Sequence, residues 1–130
     1  MSAGQLGTIA ILTGGAVGTL ARAGLLEAFP VRAAGWPWAT FFANLAGALF
    51  LGWLVAWVGG RVTPTRYLLP LLGTGLAGAL TTFSAFEIET IRLAKDGHAV
   101  LAVAYPTVSI ALGMLCAVVG TLAGRRGRDR

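Results

Sequence analysis

Few side chains in this 130-residue chain could do chemistry, and most of them lie between Arg22 and Ser109. Asn44 offers an amide, and Thr40 sits four residues before it, on the same face of a helix. Thr81, Thr82 and Ser84 bring hydroxyls close in sequence to Phe83, Phe86, Glu87 and Glu89. Tyr105 and Ser109 share a helix face at i, i+4, and Arg22 precedes Glu27. An aromatic ring carries a positive edge. Ring edges, an amide and hydroxyls together can coordinate a dehydrated anion without a full positive charge. A site of that kind can release its ion as well as bind it, which conduction requires.

Other chemistry is poorly supplied. The single Cys116 cannot form an internal disulfide, and the single His98 cannot build a zinc cluster. Cys116 reads as a small buried hydrophobe, and His98, beside Lys95 and Asp96, as a surface residue. Catalysis needs an acid, base or nucleophile set in a pocket, so no enzyme is expected here.

The composition says what must position these groups. Hydrophobic residues make up 56% of the chain and charged residues 12%, against about 25% in soluble domains. Disorder is excluded, because it needs low hydrophobicity and high charge. Four apolar runs fill the chain, over residues 4–28, 37–58, 67–93 and 99–123, with a basic tail at 124–130. About 20 residues at ~1.5 Å rise cross the ~30 Å hydrocarbon core, so each run is long enough to span. Each must be a helix, since a lipid-facing backbone has to satisfy its own hydrogen bonds. The expectation is an all-α, four-span membrane protein of one domain, in the cell inner membrane or plasma membrane.

The breaks carry Pro30 and Gly35, then Gly59, Gly60 and Pro64, then Gly97. Trp36 and Trp38 open the second run and Trp57 closes it, as an interfacial aromatic belt would. No signal peptide is read at the N-terminus, which lacks a basic start. The net charge is +5, but Arg125, Arg126, Arg128 and Arg130 sit in the tail, which reads as a membrane-surface anchor. No nucleic-acid partner is expected. With four spans, the terminal side holds Arg61, Arg66 and the tail arginines, against Arg32, Arg92 and Lys95 opposite. That bias favours cytoplasmic termini, and without the tail it vanishes. Gly14 and Gly18, Ala43 and Gly47, and Gly120 and Gly124 have the spacing that lets helices approach closely.

Gly73-Thr74-Gly75-Leu76-Ala77-Gly78 matches a dinucleotide fingerprint, with Asp96 downstream. The strand that must precede it is missing, and the motif lies inside an apolar span, so that reading is refused. The glycines fit either close packing or a helix break near Gly78, Thr81 and Thr82. Asn44 fits either interhelical bonding or a lining role, and Arg22 lies near enough to a helix end to snorkel. Ser and Thr in a span often bond back to their own helix.

At these residues the chain resembles a known family. Asn44-Leu45-Ala46-Gly47, and Gly75 through Phe86 with its Thr-Thr-Phe-Ser-x-Phe run, look like the Fluc (CrcB) fluoride channels. Gly14 to Gly18 followed by Arg22 looks like that family's first helix, and length and span count agree. The resemblance implies a fluoride-selective channel that exports fluoride passively and relieves its toxicity. It implies an antiparallel, dual-topology homodimer, with the third helix broken near its middle. Asn44 would face the pore, Phe83 and Phe86 would supply ring edges, and Thr82 and Ser84 would supply hydroxyls. Tyr105 and Ser109 would lie on the polar side of the fourth span, and Arg22 in an aqueous vestibule. Gly78 and Thr81 would offer backbone carbonyls to a structural Na+ at the dimer centre. The arginine tail departs from this picture, because it favours one orientation where an antiparallel dimer needs both.

The competing reading is a small proton-coupled multidrug-type exporter. Such a carrier needs a titratable carboxylate deep in the membrane, and Glu87 is the residue it would use.

Overall fold

The computed structural model describes residues 2–32, 35–59 and 66–127. The loop arginine Arg61 and the tail residues Arg128 and Arg130 lie outside the described residues. Helix α1 spans Ala3–Ala28 and α2 spans Trp38–Val58. A π-helix over Leu69–Ala77 runs directly into the short α3, Gly78–Leu80. Helix α4 covers Phe83–Lys95 and α5 covers Ala99–Arg126. Among the described residues there is no β-strand, which removes the structural context the glycine fingerprint would need.

Local chemistry sets these limits. Ser2 and Gln5 form a reciprocal capping box at the start of α1. Pro37 precedes α2, and Pro70 sits in the first turn of the π-helix, where a missing N–H costs nothing. Gly97, at φ +82°, turns the chain between α4 and α5. Helix α5 runs three residues beyond the 99–123 stretch, so Arg125 and Arg126 form its last turn and face the negative end of its dipole. Four helical stretches, Ala3–Ala28, Trp38–Val58, Leu69–Lys95 and Ala99–Arg126, are long and apolar enough to cross a membrane.

Glycines bring these spans together in two pairs. Gly14 and Gly18 are buried, and a Cβ on them would strike the carbonyls of Leu71 and Leu76. From the other side, a Cβ on Gly75 would meet the Ile11 carbonyl oxygen at 2.6 Å. So α1 lies backbone to backbone along the π-helix. In the same way, Gly120 abuts the Leu49 carbonyl, Gly124 that of Trp53, and Gly52 that of Ala117, which joins α2 to α5. Residue numbers rise together along both pairs. The first and third spans are therefore parallel, and so are the second and fourth. Two of the three small-residue spacings expected from the sequence lie at these contacts, and both members of the third, Ala43 and Gly47, are buried, with Gly47 against Thr81.

The buried core is small. Phe41, Leu93 and Tyr105 form one cluster in it, with Trp36, Leu45 and Phe86 packed against them, and Leu54 and Val58 are buried elsewhere along α2. The outside is apolar: Leu20 is 72% exposed and Val100 81%. Such a surface suits lipid, and it leaves close backbone packing to hold the helices together.

Gly14→Val should destabilise the protein by about 1–3 kcal/mol, because overpacking at a backbone contact forces the helices apart. Gly7→Ala, where an added Cβ meets nothing within 4 Å, should be neutral or stabilise by up to about 1 kcal/mol. Thermal unfolding of the purified protein in detergent compares them.

Candidate functional site

Midway along the third span, two residues leave helical geometry. Thr81 is extended at φ −78°, ψ 152°, and so is Thr82 at φ −150°, ψ 123°. The N–H of Thr81 still reaches the Ala77 carbonyl at 3.0 Å, and its hydroxyl donates to the same oxygen at 2.9 Å. The Thr82 N–H turns instead to Asn44 Oδ1 at 2.8 Å, and Asn44 Nδ2 donates to the Thr82 carbonyl at 3.1 Å. The Thr82 hydroxyl accepts from the Ala85 N–H at 3.3 Å, capping α4. It also lies 3.3 Å from Ser84 Oγ. Gly47 makes the approach possible, since a Cβ there would collide with the Thr81 methyl.

Phe83 and Phe86 begin α4 with their rings stacked, centroids 5.7 Å apart. Phe83 is 70% exposed. Phe86 continues the contact inward to Tyr105 at 5.3 Å, and Tyr105 meets Trp36 edge-on at 5.4 Å. A groove of about 330 Å³ runs past the interruption and gathers Asn44, Gly78, Thr81, Thr82 and Phe83.

A second cluster lies nearer the α4–α5 end. Glu89 is 8% exposed. Thr40 Oγ1 donates to one of its oxygens at 2.7 Å, and the Tyr105 hydroxyl donates to the other at 2.9 Å. These bonds tie α2, α4 and α5 together through one carboxylate. Beside it, a pocket of about 290 Å³ is lined by Arg22, Thr40, Thr82, Ser84 and Glu89. Thr82 thus lines both cavities.

Of the residues singled out in the sequence, Arg22, Thr82 and Ser84 share the smaller pocket. Asn44, Gly78, Thr81, Thr82 and Phe83 share the groove. Ser109 lines neither, and its buried hydroxyl has no partner among the described residues. Tyr105 is wholly buried and spends its hydroxyl on Glu89. The carboxylate reading needs correction. Glu87 lies on the exposed side of α4, and Glu89 is the carboxylate turned inward. A signal for this was present: Phe86, Glu89 and Leu93 fall at i, i+3 and i+7, so Glu89 shares a helix face with two apolar residues.

The match to known proteins covers most of these elements. The family model described as CrcB-like protein, Camphor Resistance (CrcB), matches residues 9–121. The chain belongs to the CrcB family. It is 46% identical over 121 residues to the Fluoride-specific ion channel FluC 1 of Mycobacterium bovis, covering 93% of this chain and 92% of that one. It is 47% identical over 111 residues to FluC 2 of Moorella thermoacetica, covering 85% and 89%. With FluC of Hyphomonas neptunium it shares 36% over 122 residues, covering 92% and 96%. As a CrcB protein with four membrane-crossing helices, it is a multi-pass membrane protein.

Tyr105→Phe should cost about 1–3 kcal/mol, because a buried carboxylate oxygen loses its donor. Glu87→Gln, on the exposed side, should stay within about 0.5 kcal/mol of the parent. Denaturation curves in detergent separate the two.

Proposed function

We propose that this chain forms a fluoride-selective channel of the plasma membrane, which lets fluoride leave the cell down its gradient and so relieves its toxicity. The observation that carries it is the stacked Phe83–Phe86 pair beside uncharged donors at the interruption of the third span. The names of the relatives, fluoride-specific ion channels at 46% identity over 93% of the chain and 47% over 85%, support the same ion.

The path uses few charges. Arg22, in the pocket with Thr82 and Ser84, raises the local concentration of anions by its field. The Thr82 and Ser84 hydroxyls replace water on the entering ion. The ring edges of Phe83 and Phe86 then offer weak positive potential where the ion is driest. Asn44, which lines the groove next to Phe83, belongs to the same stretch. Tyr105 and Ser109 share the polar side of α5, where Tyr105 supports the path indirectly by holding Glu89 and packing on Phe86. None of these groups binds so tightly that fluoride could not leave.

The functional unit is an antiparallel homodimer, with the third helix of each subunit broken at Thr81 and Thr82. One subunit leaves Phe83 mostly exposed and the groove open, and a second copy is the natural cover for both. Gly78 and Thr81 fit a structural Na+ at the centre of that dimer. Both line the groove, no carboxylate lines it with them, and neutral carbonyl oxygens suit a hard monovalent cation. The bound ion would supply a fixed positive charge that holds the two interrupted helices together. The charge bias from Arg125 and Arg126 lies at the far end of the last span, after the other three helices have been made.

Phe83→Ile with Phe86→Ile keeps apolar volume and removes the ring edges. Fluoride efflux from proteoliposomes should fall by at least about tenfold, equivalent to ~1.4 kcal/mol, while the dimer stays intact. Unchanged efflux would refute the role given to the rings.

A further inference from the structure

We infer that Asn44 is a positioning residue: its side-chain oxygen diverts the Thr82 N–H from the Gly78 carbonyl and so keeps that carbonyl open for a cation. This rests on the sodium reading above. In an unbroken α-helix the N–H of residue 82 bonds the carbonyl of residue 78. Here that N–H goes to Asn44 Oδ1 at 2.8 Å. Ala77, one residue earlier, keeps its helical partner and gains the Thr81 hydroxyl as well. Gly78, the residue after Ala77, is therefore a carbonyl whose i+4 donor has been taken away.

The same amide works from both ends. Asn44 Nδ2 donates to the Thr82 carbonyl at 3.1 Å, so both backbone groups of one extended residue are satisfied by one side chain. An extended residue at that depth would otherwise leave a donor and an acceptor without water, at about 1–3 kcal/mol for each. The simplest escape from that cost is to rewind the helix and return the Thr82 N–H to Gly78. Asn44 removes the incentive to rewind. Reach is set by α2, where Gly47, one turn further on, presses against Thr81. With two of its hydrogen-bonding groups engaged at Thr82, the amide retains one N–H and one lone pair for anything passing through the groove.

The test follows thermal stability of the full-length protein in detergent as Na+ replaces N-methyl-D-glucamine at constant ionic strength. The parent should show a Na+-dependent rise in Tm with a saturating midpoint. Asn44→Leu should move that midpoint upward by at least about tenfold. Gly7→Ala, where an added Cβ meets nothing within 4 Å, should keep the parent midpoint. No Na+ effect in the parent would overturn the sodium reading, and this inference with it. A Na+ effect with the same midpoint in Asn44→Leu would overturn the positioning role alone. Where Asn44→Leu does not fold, the parent decides by nuclear magnetic resonance. The labelled Gly78 carbonyl carbon should shift with Na+ while the Thr82 amide keeps a side-chain acceptor. A Gly78 carbonyl indifferent to Na+, or bonded to Thr82, would contradict the inference.

Discussion

A peptide group in the hydrocarbon core of a bilayer has no water to bond. Every departure from helical geometry there must be matched by a partner from elsewhere in the protein. In this chain that constraint is concentrated on Thr82, which is extended in the middle of a span. Its two backbone groups are held by Asn44, 38 residues away on α2. The glycines of α1, α2 and α5 serve the same end. They let helix backbones touch, so that short polar side chains reach across and long ones are not needed.

The second consequence concerns charge. The groove at the interruption contains an amide, hydroxyls, backbone and a phenyl ring, and among the described residues no ionisable side chain lines it. Arg22 and Glu89 stand together along the smaller pocket, one turn or more from the apolar middle, with Glu89 bonded by Thr40 and Tyr105. Under the proposed function, a small anion passing such a site would meet a graded series of weak donors. That arrangement favours throughput over tight binding.

Much of this was legible in the sequence. The four spans follow from length and hydrophobicity, because a bilayer leaves few alternatives to an apolar helix of that length. The clustering of Thr81, Thr82, Phe83, Ser84 and Phe86 is local, so spacing alone reveals it. What stayed hidden depends on distant partners. The apolar face that Glu89 shares with Phe86 and Leu93 sets it apart from Glu87, but its partners Thr40 and Tyr105 come from two other helices. Asn44 could be bonding or lining, since its partner is a backbone amide that is free only when the helix departs from its course. The π-helix was equally silent: Gly73 and Gly75 permit packing or interruption, and the close passage of Ile11 is a tertiary fact.

Smallness ties these features together. A chain of 130 residues with four spans has little protein left to shield a polar path from lipid, and in one copy Phe83 stays mostly exposed. The central claim is selective conduction of fluoride along that path. Liposomes holding the purified protein, loaded with fluoride or with chloride, measure it directly by the efflux of each anion. Rapid fluoride efflux with chloride at the level of empty liposomes is the predicted result, and equal efflux of the two anions would contradict it.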